Sequence, residues 1–160
     1  MTAPQLANPP APVTGTATKP ILFGTDFSLA SEAALGKAIE MARKEGAELI
    51  IAHVYEPQAS LSHSGPADEF FEGDREQNLR TLAEKGLEPA IARARAAGVR
   101  VRGLMATGHA SHRLADLARE NDVALLVVGT HGRTGIKKLV AGSVASNLVS
   151  TAPCPVLTVR

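Results

Sequence analysis

Short apolar runs alternate along this chain with longer stretches in which apolar residues return at helical spacing. The first run, Pro20-Ile21-Leu22-Phe23-Gly24-Thr25, reads as a strand that ends at Asp26. Ser28 and Ser31 are candidate caps for a helix through about Glu45, with Ala34, Ala38, Ile39 and Ala42 on one face and Gly46 closing it. Glu48 to Val54 is a second strand, apolar through its centre and therefore expected to be covered on both faces. Tyr55 to Asp74 carries no clear period and reads as a long connection. A helical stripe follows from about Arg75 to Ala97, carried by Leu79, Leu82, Ala83, Leu87, Ala90, Ile91 and Ala94. Pro89 falls inside it and predicts a kink or short break near Leu87–Glu88. Beyond Gly98, Val99 to Met105 has the period of a strand with one wetter face. Gly108 to Ser111 is a turn, and Leu114, Leu117 and Ala118 mark a short helix ending near Asn121. Leu125 to Val128 is a buried strand. Helical spacing resumes at Leu139, Val140, Val144 and Leu148 toward Thr151, and Pro155 to Arg160 is a final strand.

Strands and helices thus alternate, which predicts an α/β fold with a five-stranded parallel sheet sandwiched by helices. In an open sheet of this kind ligands sit beyond the carboxyl ends of the strands, where the strand order reverses. Asp26, Val54 and the segment after Gly129 all follow strands at that end and are placed to converge in one cleft.

Composition narrows the partners. A chain of 160 residues fits one domain, residues 20–160, preceded by a Pro/Ala/Thr-rich leader, residues 1–19, expected to be disordered. That leader has neither the basic start nor the apolar middle of a signal peptide, and no apolar run approaches the ~20 residues of a membrane span. A cytoplasmic location is expected. With no Trp, one Tyr and a net charge of +1, the chain lacks both the stacking platforms and the basic surface of a nucleic-acid binder. The single cysteine, Cys154 between two prolines, excludes an intramolecular disulfide and reads as a small apolar residue at a strand entrance.

The candidate chemistry gathers after the buried strand, in Gly129-Thr130-His131-Gly132-Arg133 through Gly142-Ser143-Val144. Strand, glycine-rich turn and helix N-terminus are how a fold presents backbone N–H groups to a phosphate. No Asp or Glu occurs after Asp122, whereas Arg133, Lys137, Lys138 and Arg160 do. The segment reads as an anion site, or else only as a tight connection. It is neither the P-loop, which needs Lys-Ser or Lys-Thr after its last glycine, nor the dinucleotide fingerprint.

The spacing Gly129-x2-Gly132-x9-Gly142-Ser143 resembles the glycine signature of the ATP-binding branch of the universal stress protein family. The opening Ile21 to Ser28, the strand Leu49 to Val54 and the ending Cys154 to Val159 are similar to that family's in the same order, so the resemblance covers residues 20–160. It implies a Rossmann-like, adenine nucleotide alpha hydrolase-like sheet and a homodimer in which the last strand (Val156, Leu157, Val159) pairs with its copy. It also implies ATP as ligand, with Mg2+ or Mn2+ held by phosphates and water rather than by protein carboxylates. Carried over by position, Gly24, Thr25 and Asp26 lie against the nucleoside, and Val54, Val128 and Gly129 flank the adenine. Gly132, Arg133, Gly142, Ser143 and Val144 hold the phosphates, with His131 and Ser146 nearby. Two departures stand out: Ala110 and Gly24 replace prolines seen in many or some members.

Other chemistries have less support. A phospho-acceptor role for Asp26 needs a second acid beside it, which Gly24-Thr25-Asp26 does not supply. His109 and His112 have helical spacing for a metal but no further ligand close in sequence, so exposed loop histidines are expected. No Gly-x-Ser-x-Gly elbow is present, and His131 is the one nameable base for phosphoryl transfer. A nucleotide-dependent stress or signalling module is the expected function, with weak ATPase or phosphotransferase activity and a nucleotide-independent interaction module as the alternatives.

Overall fold

The computed structural model describes residues 18–56, 68–130 and 142–160; within the long second helix, side chains are described from Gln77 onward, Leu79 excepted. Five strands and four helices alternate: β1 (Ile21–Thr25), α1 (Leu29–Glu45), β2 (Leu49–Tyr55), α2 (Asp68–Ala96), β3 (Val101–Thr107), α3 (Ala110–Glu120), β4 (Leu125–Gly129), α4 (Ser143–Thr151) and β5 (Val156–Val159). The expected five-stranded parallel sheet is what forms, in the order β3-β2-β1-β4-β5 with every neighbour pair parallel. The chain steps outward from β1 through β2 to β3, then returns to lay β4 and β5 on the other side of β1. The order therefore reverses between β1 and β4, whose register pairs Gly24 with Val128.

Local chemistry explains the boundaries. Ser28 caps α1 by accepting from Ser31 N–H, and Gly46 closes it in the left-handed region at φ 62°, its N–H bonded back to the last carbonyls. Alternation along the strands sends side chains to two cores. Phe23, Leu49, Ile51 and Val127 meet α1 and α2 on one face, whereas Leu22, Ile50, Leu126 and Val128 meet α3 and α4 on the other. Leu22, Phe23, Ile50 and Ile51 are essentially inaccessible, and each such side chain contributes about 1.5–3 kcal/mol through burial.

Helix α2 departs from the sequence expectation in three ways. It starts at Asp68, so Asp68–Asp74 is helical rather than part of the connection. It also runs unbroken through Pro89, which removes one N–H donor while the helix on both sides stays packed on β2 and β3. Leu82, expected on the apolar stripe, is 66% exposed; the buried line runs instead through Ala83, Leu87 and Ala94. No helix among the described residues is long and apolar enough to cross a membrane.

Candidate functional site

The carboxyl end of β1 turns into α1 through a tight polar loop. Asp26 Oδ1 accepts from Ser28 N–H at 3.0 Å and from the Ser31 hydroxyl at 2.6 Å, while Asp26 N–H donates to Ser31 Oγ at 3.2 Å. Phe27 N–H donates to Thr25 Oγ1 at 3.0 Å. His53, level with Thr25 on β2, places Nδ1 at 2.8 Å from the Thr25 carbonyl oxygen. A carbonyl only accepts, so that nitrogen carries the proton. The loop holding Asp26 is thus fixed from within by hydroxyls and from the side by an imidazole.

Across the switch point, β4 leads to α4 through residues 131–141. The two ends of that connection are joined directly: Gly142 N–H donates to the Thr130 carbonyl at 2.7 Å, and Thr130 N–H donates to the Val159 carbonyl at 2.8 Å. The N-terminus of α4 is thereby held at the carboxyl edge of the sheet. Gly142 (φ −52°, ψ 155°) brings no capping side chain, and the first turn holds no acid. The helical ladder begins with Ser146 N–H on the Gly142 carbonyl, so the amides of Ser143, Val144 and Ala145 lie ahead of it at the positive end of the helix dipole. Ser143 and Ser146 are exposed and Val144 is half-buried. Such an end suits an anion.

The described residues among those singled out from the sequence each have a definite place. Thr25, Asp26, Val54, Gly129, Gly142, Ser143, Val144 and Ser146 stand at the carboxyl edge. Val128 is buried and Val54 half-buried on the α3 side. Two glycines carry structural duties. A Cβ on Gly24 would lie 2.8 Å from Leu114 Cδ1 of α3, and one on Gly129 would lie 3.0 Å from the backbone C and O of Ala30 in α1. The proximity of Gly129 to a backbone is therefore proximity to the first turn of α1. His131, Gly132 and Arg133, like Leu139 and Val140, lie outside the described residues.

His109 and His112 are exposed, with ring centroids 4.9 Å apart and Ser111 Oγ 3.0 Å from His109 Nδ1. Among the described residues no group of three or more His, Cys, Asp or Glu is placed to hold a metal. Cys154 packs, partly buried, against the α3–α4 core, and burial raises its thiol pKa against the lowering effect of a backbone hydrogen bond from Leu126. Sequence reasoning missed His53 and Phe27. A lone histidine in an apolar strand carries no motif, and the backbone φ of Phe27 is invisible to periodicity.

Comparison with known proteins gives a consistent picture. The profile of the Universal stress protein family matches residues 17–160. Universal stress protein YxiE of Bacillus subtilis is 33% identical over 144 residues, spanning 88% of this chain and 97% of the relative. The solved structure of MJ0577, a universal stress protein of Methanocaldococcus jannaschii, superposes with TM-score 0.79 at 26% identity, covering 90% of this chain and 96% of that one. A universal stress protein solved in complex with cAMP superposes with TM-score 0.66 at 29% identity, covering 91% of this chain and 98% of that one. This chain belongs to the universal stress protein family.

Proposed function

We propose that the protein is a nucleotide-binding stress-response module that takes ATP, with Mg2+ or Mn2+ held by its phosphates, in the cleft between the ends of β1 and β4. The observation that carries the reading is the α4 N-terminus, whose N-cap residue Gly142 has no side chain and is tied through Thr130 to the end of β4. It lies on the carboxyl edge of the sheet, at the switch point where open α/β sheets bind ligands. The amides of Ser143 and Val144 and the Ser143 hydroxyl hold the phosphates, with Ser146 close by; Gly132, Arg133 and His131 belong to the same cradle through the glycine signature. Thr25 and Asp26 face the ribose, and Val54, Val128 and Gly129 border the base. Asp26 Oδ1 already receives two donors, which suits a carboxylate that orients a ribose more than one that takes a proton, so the module binds rather than turns over rapidly. A relative at 29% identity solved with cAMP supports a nucleotide as the ligand class.

The working unit in this reading is a homodimer in the cytoplasm. Among the described residues strand β5 is the edge of the sheet, paired to β4, and Val156, Leu157 and Val159 are half-buried; a second copy would cover them. The test is titration calorimetry with Mg-ATP on wild type and Gly142→Val. Gly142 has an extended backbone that valine can adopt, and in this reading the valine side chain occupies the phosphate cradle. Saturable binding by wild type that Gly142→Val abolishes is the expected result; unaltered affinity in the variant would refute the assignment.

A further inference from the structure

Phe27, next to Asp26, has a backbone φ of 62°. That left-handed conformation is unusual for a bulky residue and persists only where the surroundings impose it. Three contacts impose it here. The amide of Phe27 donates to Thr25 Oγ1. Its ring lies on His53, centroids 4.3 Å apart and tilted by 31°. The far edge of the ring sits on Gly86 of α2, where a Cβ would fall 2.7 Å from Cζ and 3.0 Å from Cε1 and Cε2. Yet the residue remains 42% exposed, so the ring can swing outward into solvent. Beside it, an opening of about 140 Å³ between α1, α2 and β1 is bordered by Phe23, Thr25, Ser31, Leu35 and Pro89. The junction of α2 with the Asp26 loop is therefore loosely filled, and one aromatic ring spans it.

We propose that Phe27 is a positioning residue: seated on Gly86 and His53, its ring holds Asp26 in place and couples the seating of α2 to occupancy of the cleft. The part of this that concerns occupancy rests on the nucleotide reading of the site; the latch itself does not. A ligand that needs Asp26 in this position favours the seated ring, and a seated ring fixes α2 against the loop, so each event raises the population of the other. Helix α2 is then the surface that reports whether the cleft is filled.

The decisive variant is Gly86→Ala in the full chain. Alanine is the better helix residue, so a packing role alone predicts equal or higher thermal stability and no change elsewhere. The latch predicts that the new Cβ expels the ring. In the free protein, the amides of Asp26, Phe27 and Ser28 then exchange about tenfold faster by NMR, and α2 amides around Gly86 lose protection with them, while α3 amides do not. Mg-ATP affinity falls about five- to tenfold, because only the seated fraction is competent to bind. Phe27→Gly, which relieves the backbone but removes the ring, gives the same loss, and the double variant is no worse than either single one. Unchanged exchange at those three amides in Gly86→Ala, or Phe27→Gly binding as tightly as wild type, would overturn the proposal. If wild type bound no nucleotide, the site reading would fall, and the exchange rates of the free protein would still decide the latch.

Discussion

Gly129→Ala separates architecture from ligand binding at the position where the sequence merges them. A glycine that serves only a phosphate loop is free to become alanine in the absence of ligand. Gly129 does not have a positive φ, so alanine adopts its backbone without strain. Reduced freedom of the unfolded chain then stabilises by about 0.4–1 kcal/mol. The structure predicts the opposite sign. The added Cβ would sit 3.0 Å from the backbone C and O of Ala30 and 3.2 Å from Ser31 N. These are main-chain atoms in the first turn of α1, which cannot rotate away as a side chain would. Overpacking of this kind costs about 1–3 kcal/mol, so the net effect is a loss of roughly 1–2 kcal/mol. For a domain of this size that lowers the unfolding midpoint by about 2–8 °C. The assay is thermal and urea unfolding of nucleotide-free protein, wild type against Gly129→Ala. A midpoint unchanged or raised would refute the claim that the first turn of α1 is what keeps this position glycine.

Other outcomes follow from the same contacts. Ser28→Ala removes the α1 cap and the acceptor for Ser31 N–H, and should cost about 1 kcal/mol in urea unfolding. Leu157→Asp places a charge on the edge strand and should shift the proposed dimer toward monomer in sedimentation; a variant that stays dimeric removes β5 from the interface. The folded-state thiol of Cys154 has a raised pKa, so the unfolded state loses that proton first and stability falls as pH rises through the thiol's unfolded pKa. Cys154→Ala should flatten the decline that begins near the unfolded thiol's pKa of about 8.5; an identical decline in the variant would contradict it.

Much of the fold was legible because local and global signals agree in it. Ser28 and Gly46 bracket α1 with a cap and a left-handed stop, and both do so in the structure. The apolar centre of β2 announced a strand covered on both faces, β1 and β4 also read as strands, and the two cores on opposite sides of the sheet are the result. The start of α2 was not legible, because Asp-Glu-Phe-Phe-Glu-Gly-Asp presents no single apolar stripe. The polarity of Leu82's surroundings was equally hidden, since helical spacing admits it to the stripe that Ala83 and Leu87 actually form. The sequence placed Asp26, Val54 and Gly129 at the carboxyl ends of strands, and they lie there in the structure. It could not reveal that Gly24 and Gly129 are confined by Leu114 and Ala30, because those contacts join residues far apart in the chain. Nor could it show that Phe27 and His53 support the Asp26 loop.

The central claim is that the cleft between β1 and β4 takes ATP. Its most direct test is to denature freshly purified protein, identify any released nucleotide by chromatography, and titrate the emptied protein with Mg-ATP by calorimetry. A cleft that takes ATP yields an adenine nucleotide in the extract and saturable rebinding of one ATP per chain. An empty extract with no heat of binding, and no rise in the unfolding midpoint at saturating Mg-ATP, would contradict it and leave the α4 N-terminus as architecture alone.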